Sequence, residues 1–225
     1  MSLLFVCGKG FKMPLSFSIK LDPRFPTSFS RHVVKEVHSL LKRNETNINT
    51  GVRTRVQETM MEMLFDSPTV SSLMGGSLQA QLGIVDPESK IIEVIDTWMN
   101  NIHVSTKAGG SPLLTISIGI LSQGYGDVLS LPASAYQSAN GEMIEWLRWL
   151  LLEGDKTIVD YFFLPGRRTK SRTGLGIMVR KGGREWSIPP EFRGTETDNF
   201  ATRALEHLDK ALNTIVESEI KKVFK

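Results

Sequence analysis

The sequence predicts an α+β fold, a mainly antiparallel sheet packed by N-terminal helices and a long C-terminal helix. Three observations predict it. Apolar residues recur at helical spacing through much of the first hundred residues and again from Ala201 to Val223. Period-two alternation marks residues around Phe17–Leu21 and Leu114–Ile120. A chain of 225 residues with 40% hydrophobic content has ample material for a core, and 23% charge is ordinary for a globular protein.

The elements follow in order. Residues 1–12 read as a flexible extension, because Met13-Pro14-Leu15 offers a second plausible start, and a single domain is expected over 13–225. Leu3-Leu4-Phe5-Val6-Cys7 is too short for a signal-peptide core, and Gly8-Lys9-Gly10 follows it in place of a cleavage site. Phe17, Ile19 and Leu21 alternate with polar neighbours as a strand. Phe29, Val33, Val37, Leu40 and Leu41 give a helix over Thr27–Lys42, capped by Ser28 or Ser30. Val52, Val56, Met60, Met63 and Leu64 predict another over Thr50–Phe65. Ser67 can cap the next helix, with Pro68 suited to its first position. That helix carries Val70 and Leu73 and breaks at Gly75-Gly76, after which Leu78 and Leu82 close against Gly83.

Asp86-Pro87-Glu88 starts a helix whose buried stripe is Ile91, Ile95, Trp98 and Ile102, so helix is expected as far as His103. Leu114, Ile116, Ile118 and Ile120 then alternate with Thr115, Ser117 and Gly119 as a half-buried strand. Glu142–Glu153 suits either a helix face or a core strand, and helix is preferred. Strands are expected at Thr157–Leu164 and Leu175–Arg180, with a short third at Trp186 and Ile188 ended by Pro189-Pro190. The sheet should therefore be built largely from residues 113–190. Thr197 or Asp198 caps the final helix, and Lys221, Lys222 and Lys225 sit where its dipole favours cations.

Charge is concentrated in one place. Arg167, Arg168, Lys170, Arg172, Arg180, Lys181 and Arg184 follow one another with no acidic residue between Gly166 and Arg184. The rest of the chain holds 20 basic against 24 acidic residues, although the whole carries +3. Such a hairpin loop either meets phosphates or an acidic protein surface, or is a solvated loop that confers solubility. Seven like charges repel, and screening over about 8 Å only softens this, which favours a polyanionic partner. The loop contains no aromatic residue, so stacking on single-stranded bases is not expected.

Other chemistry finds little support. Cys7 is the single cysteine, which excludes an internal disulfide and a cysteine-based zinc site. His32 and His38 are six residues apart on a helix and face different sides, where a helical zinc pair needs a spacing of four. His103 and His207 are isolated. Gly8-Lys9-Gly10, Gly174-Leu175-Gly176 and Gly182-Gly183 lack the pattern of a phosphate-cradling loop. Ser117 and Ser171 sit on no nucleophile elbow. Glu142, Glu145, Glu153 and Asp155 read as a solvated face. No apolar run is long enough to span a bilayer. The expectation is a soluble, non-enzymatic protein with no cofactor, no metal and no membrane partner. Trp98, Trp146, Trp149 and Trp186 read as core or interface residues, while Trp186, Pro189, Pro190 and Phe192 form a rigid turn and candidate interface.

The segments Trp146-Leu147-Arg148-Trp149-Leu150-Leu151-Leu152-Glu153-Gly154, Ser171-Arg172-Thr173-Gly174-Leu175-Gly176-Ile177-Met178, Trp186-Ser187-Ile188-Pro189-Pro190-Glu191-Phe192-Arg193-Gly194-Thr195 and Asp198-Asn199-Phe200-Ala201-Thr202-Arg203-Ala204 carry a resemblance. In this order they resemble the neck, head–tail joining or tail-completion proteins of tailed bacteriophages. Residues 67–83 fit the same group, and the likeness is closest over 141–210.

The resemblance implies a non-enzymatic α+β subunit, made in the host cytoplasm and found in the neck of the virion. It implies a cyclic homo-oligomer, a hexamer in preference to a dodecamer, between the portal side of the head and the tail. Its neighbours would be a head-side connector and a tail-terminator protein, with genomic DNA in the channel. The basic loop over 166–184 would then face that DNA or an acidic surface on the adjoining ring. The alternative is a double-stranded-DNA-binding accessory protein acting through the same loop.

Overall fold

The computed structural model describes residues 2–6, 15–20, 27–108, 114–119, 125–137, 143–157, 159–163, 179–180 and 184–224. Strands Ser2–Val6 (β1) and Leu15–Lys20 (β2) precede helices Thr27–Arg43 (α1) and Glu45–Phe65 (α2). Pro68–Leu73 (α3), Ser77–Leu82 (α4) and Pro87–Asn100 (α5) follow. Strands His103–Ala108 (β3) and Leu114–Gly119 (β4) come next, then helix Gly126–Leu129 (α6) and a 3-10 turn at Pro132–Ser134. Tyr136–Gln137 (β5) and Met143–Ile144 (β6) lead to helix Trp146–Leu151 (α7). Val159–Phe163 (β7), Val179–Arg180 (β8) and Arg184–Trp186 (β9) precede a 3-10 turn at Pro190–Phe192 and the last helix, Phe200–Val223 (α8). The protein is α+β, and every strand pair among the described residues is antiparallel.

The chain groups into two compact units. The first comprises Met1–Thr59, Asn101–Gln123 and Asp209–Lys225. It holds a four-stranded sheet in the order β1-β2-β4-β3. Its apolar rows are matched across strands: Leu15 pairs with Ile118, Phe17 with Ile116 and Ile19 with Leu114. Leu114, Ile116 and Ile118 are buried while the residues between them are half-exposed, so the period-two pattern becomes one covered face. Residues 1–12, set apart from the sequence as an extension, thus include β1, whose five positions all pair with β2.

The second unit comprises Met60–Asn100 and Gly124–Leu208. Ser67 caps α3 as expected, accepting from the Val70 amide at 3.3 Å and donating to the Leu64 carbonyl at 2.7 Å. Gly83 ends α4 in the left-handed conformation at φ 67°, which a glycine adopts without a side-chain penalty. Ile91, Val94, Ile95, Trp98 and Met99 form the buried stripe of α5. The β5–β6 pair and a three-stranded sheet ordered β8-β7-β9 complete this unit.

Several expectations are corrected. The helix predicted to run to His103 stops at Asn100, because Asn100 and Asn101 are poor helix formers and His103–Ala108 is a strand. The largest sheet is not built from 113–190. It takes β1 and β2 from the N-terminal region, and the strands beyond residue 136 form two smaller sheets. The helix preferred for 142–153 is confined to Trp146–Leu151, with Met143–Ile144 extended before it. Helix α2 begins five residues before Thr50, since buried Ile48 continues the stripe of Val52, Val56, Met60 and Leu64. Each of those fully buried side chains stabilises the fold by roughly 1.5–3 kcal/mol relative to exposure. The strand expected at Leu175–Arg180 is described only as Val179–Arg180.

Candidate functional site

Three of the segments that stand out in the sequence, 146–154, 186–195 and 198–204, meet at one residue, Asn199, while 171–178 lies outside the described residues. It is fully buried and caps α8. Its Oδ1 accepts from the amides of Ala201 and Thr202, both at 3.0 Å. Its own amide donates to the Thr202 hydroxyl at 2.8 Å, completing a reciprocal box in which threonine stands where glutamate is commoner. The cap is therefore neither Thr197 nor Asp198. A buried amide satisfies both ends of the helix entry, and those exposed residues do not.

The other side of Asn199 ties distant segments together. Its Nδ2 donates to Tyr125 Oη at 2.8 Å, to the Leu151 carbonyl at 3.1 Å and to the Thr195 carbonyl at 2.8 Å. Two hydrogens serve three acceptors, so one bond is shared. Tyr125 holds a left-handed backbone at φ 56°, a cost of roughly 1–2 kcal/mol for a residue with a side chain. Its ring meets Trp98 edge-on at 6.3 Å, and Trp98 packs against Phe200 at 5.7 Å. Burial pushes the Tyr125 phenol above its ordinary value of 10.0, and the bond from Asn199 opposes this in part.

Glycine contacts complete the frame. The Gly154 amide donates to the Gly194 carbonyl at 2.9 Å. A β-carbon on Gly194 would collide with the backbone carbonyl of Leu150, so only glycine fits there. Trp146 Nε1 donates to the Ala133 carbonyl at 2.9 Å. The residues 146–154 and 186–204 are thus largely engaged in bonding one another.

The turn proposed as an interface is strapped from within. Arg193 donates from Nε to the Ile188 carbonyl and from Nη2 to Ser187 Oγ, both at 2.8 Å. Arg203 bonds the Arg193 carbonyl at 3.3 Å and the Asp198 carboxylate at 2.6 Å. That last bond holds the Asp198 carboxyl below its usual range. Trp186 is buried, Pro189 and Phe192 are half-buried, and Pro190 is exposed.

No family model, curated protein or solved structure matches the chain.

Of the basic stretch, Arg180 lies in β8 and Arg184 in β9. Arg167, Arg168, Lys170, Arg172 and Lys181 lie outside the described residues. The register sets both Arg180 and Arg184 opposite Phe162 of the central strand β7. With strands about 4.8 Å apart, the two cationic positions flank β7 roughly 10 Å from each other. Among the described residues, no group of three or more His, Cys, Asp and Glu is placed to hold a metal, and no helix is long and apolar enough to cross a membrane. Neither the capping role of Asn199 nor the burial of Tyr125 is among the expectations from sequence. The first could have been found from Asn199-Phe200-Ala201-Thr202, whose polar ends fit a capping box; nothing local marks the second.

Proposed function

We propose that this chain is a non-enzymatic structural subunit that assembles with copies of itself into a ring at the neck of a tailed bacteriophage virion. There it would join the portal side of the head to the tail around the DNA channel. The observation that carries the proposal is the segregation of charge. Seven cations fall within residues 166–184 of a chain that is otherwise slightly acidic. A ring brings several copies of such a stretch to one axis and multiplies a modest attraction per subunit. The resemblance of residues 141–210 to neck proteins supports the same reading. So does the bonding around Asn199, which engages the most distinctive residues in holding the subunit together.

The basic stretch meets either channel DNA or an acidic surface of the adjoining ring. A variant with Arg167, Arg168, Lys170 and Arg172 all changed to Gln tests this. The expected result is normal subunit folding with weakened head–tail joining or genome retention. Normal particle yield together with normal infectivity would contradict the proposal. A double-stranded-DNA-binding accessory protein is the second reading, favoured by the same charge. It predicts a monomer whose duplex affinity falls steeply with salt, at a log–log slope near −0.9 per phosphate contact.

A further inference from the structure

Two helices outside the basic stretch carry outward faces of opposite charge. On α5 the buried stripe of Ile91, Val94, Ile95 and Trp98 turns Glu88, Ile92 and Asp96 outward, spaced four residues apart in one row, with Glu93 beside them. All four are exposed, and Ile92, in the middle of the row, keeps 38% of its surface open to solvent. Val85, just before the helix, is 47% exposed. Residues 86–100 hold four acidic side chains against Lys90 alone, and none of those carboxylates is in an ion pair among the described residues. An apolar centre within a charged rim is the make-up of a contact surface. On α1, buried Leu41 marks the inner side, while Lys35, Ser39 and Arg43 form an outward row with Lys42 beside it. Lys35, Lys42 and Arg43 are exposed, and no ion pair among the described residues involves them. Thr27–Arg43 holds four basic residues against Glu36 alone. Lys35 and Arg43 stand two helical repeats of four apart, as do Glu88 and Asp96, so each pair of charges spans about 12 Å along its helix.

We propose that the acidic face of α5 in one copy docks on the basic face of α1 in the next. Charge complementarity selects a second copy as the occupant, because the two faces carry opposite charges at matching spacing. Ile92 lies between the paired charges, where the partner helix would cover it and add apolar burial to the contact. The two faces are different surfaces of one chain, so the contact is heterologous. Such a contact passes from copy to copy and closes into a ring when the rotation allows. The inference rests on the ring reading above and gives that ring its contact between neighbours. It leaves the 166–184 stretch for the channel or the adjoining ring.

Two full-length variants test this by sedimentation at equal protein concentration. One carries Glu88→Lys, Glu93→Lys and Asp96→Lys, and the other Lys35→Glu, Lys42→Glu and Arg43→Glu. The wild-type chain should self-associate at low salt and do so less as salt rises. Each variant alone sets like charges against one another and should lose association by about tenfold or more. Mixed in equal amounts, the two present opposite charges at every contact and should recover it. Thermal melting confirms that each variant folds; where a triple change does not, Asp96→Lys and Arg43→Glu replace it as single changes. Either variant associating as the wild type does, or a mixture that fails to recover, would overturn the proposal. A wild-type chain that stays monomeric would overturn it too, leaving the ring reading to imaging of particles. Loss of association in the variant with Arg167, Arg168, Lys170 and Arg172 changed to Gln, with both helix variants intact, would place the contact in the basic stretch; the ring reading would then stand and this inference would fall.

Discussion

Asn199 concentrates more structural consequence than any other single side chain described. Asn199→Ala removes the α8 cap, which costs about 1 kcal/mol, and strands buried acceptors at Tyr125 and Leu151, which costs about 1–3 kcal/mol more. Urea denaturation should register about 2–4 kcal/mol in total. Tyr125→Phe should cost less, about 0.5–1.5 kcal/mol, because Nδ2 retains two carbonyl acceptors. Two titratable groups nearby, Asp198 and Tyr125, set pH behaviour. The Asp198 carboxyl is depressed by its bond from Arg203, so its stabilisation is present above the unfolded-state value near 3.8 and is lost as pH falls through the lower folded value. The effect is small, because the pair is exposed to solvent. Tyr125 behaves oppositely. Its raised phenol stabilises the fold below about pH 10, and that contribution is lost as pH rises from there through the folded value. Alkaline denaturation of Tyr125→Phe should lack this loss, and Asp198→Asn should flatten the acid limb. Matching curves for wild type and both variants would contradict these assignments.

At the scale of elements, strong periodicity was legible and long-range bonding was not. The α2 stripe and the α8 pattern are recovered because four-residue apolar spacing admits no other burial. The strand at His103–Ala108 was hidden, since none of His103, Val104, Ser105, Thr106 and Lys107 is fully buried and they alternate only between exposed and half-buried. The contact between Gly51 and Glu219 was equally invisible, as nothing in either local sequence names its partner. Gly51 lets a buried carboxylate of α8 lie close against α2, where a β-carbon would collide with it. Lys222 reaches that carboxylate at 2.6 Å, whereas Lys221 pairs with exposed Glu217 at 3.2 Å. Neighbouring lysines should therefore differ. Lys222→Ala leaves a buried charge unpaired and should cost about 1–2 kcal/mol, and Lys221→Ala should stay below about 0.5 kcal/mol. Equal losses in chemical denaturation would show that the burial of Glu219 carries no energetic weight.

For the whole molecule, the α+β class was readable from the alternation of periods. The partition into two compact units was not, because helices α2 and α8 each contribute residues to both without any break in their patterns. The basic stretch is visible in the sequence as charge, and the distinctive motifs that flank it are occupied with the chain's own bonding. A chain that spends its unusual residues on internal bonding, and gathers its excess cations in one stretch, is suited to presenting a surface. The central claim is that this surface serves assembly among identical copies. Electron microscopy of the chain, alone and bound to head-side particles, tests it most directly. The account predicts closed rings with the 166–184 stretch lining the channel or meeting the adjoining ring; isolated subunits with that stretch in open solvent, on particles that are joined and filled, would contradict it.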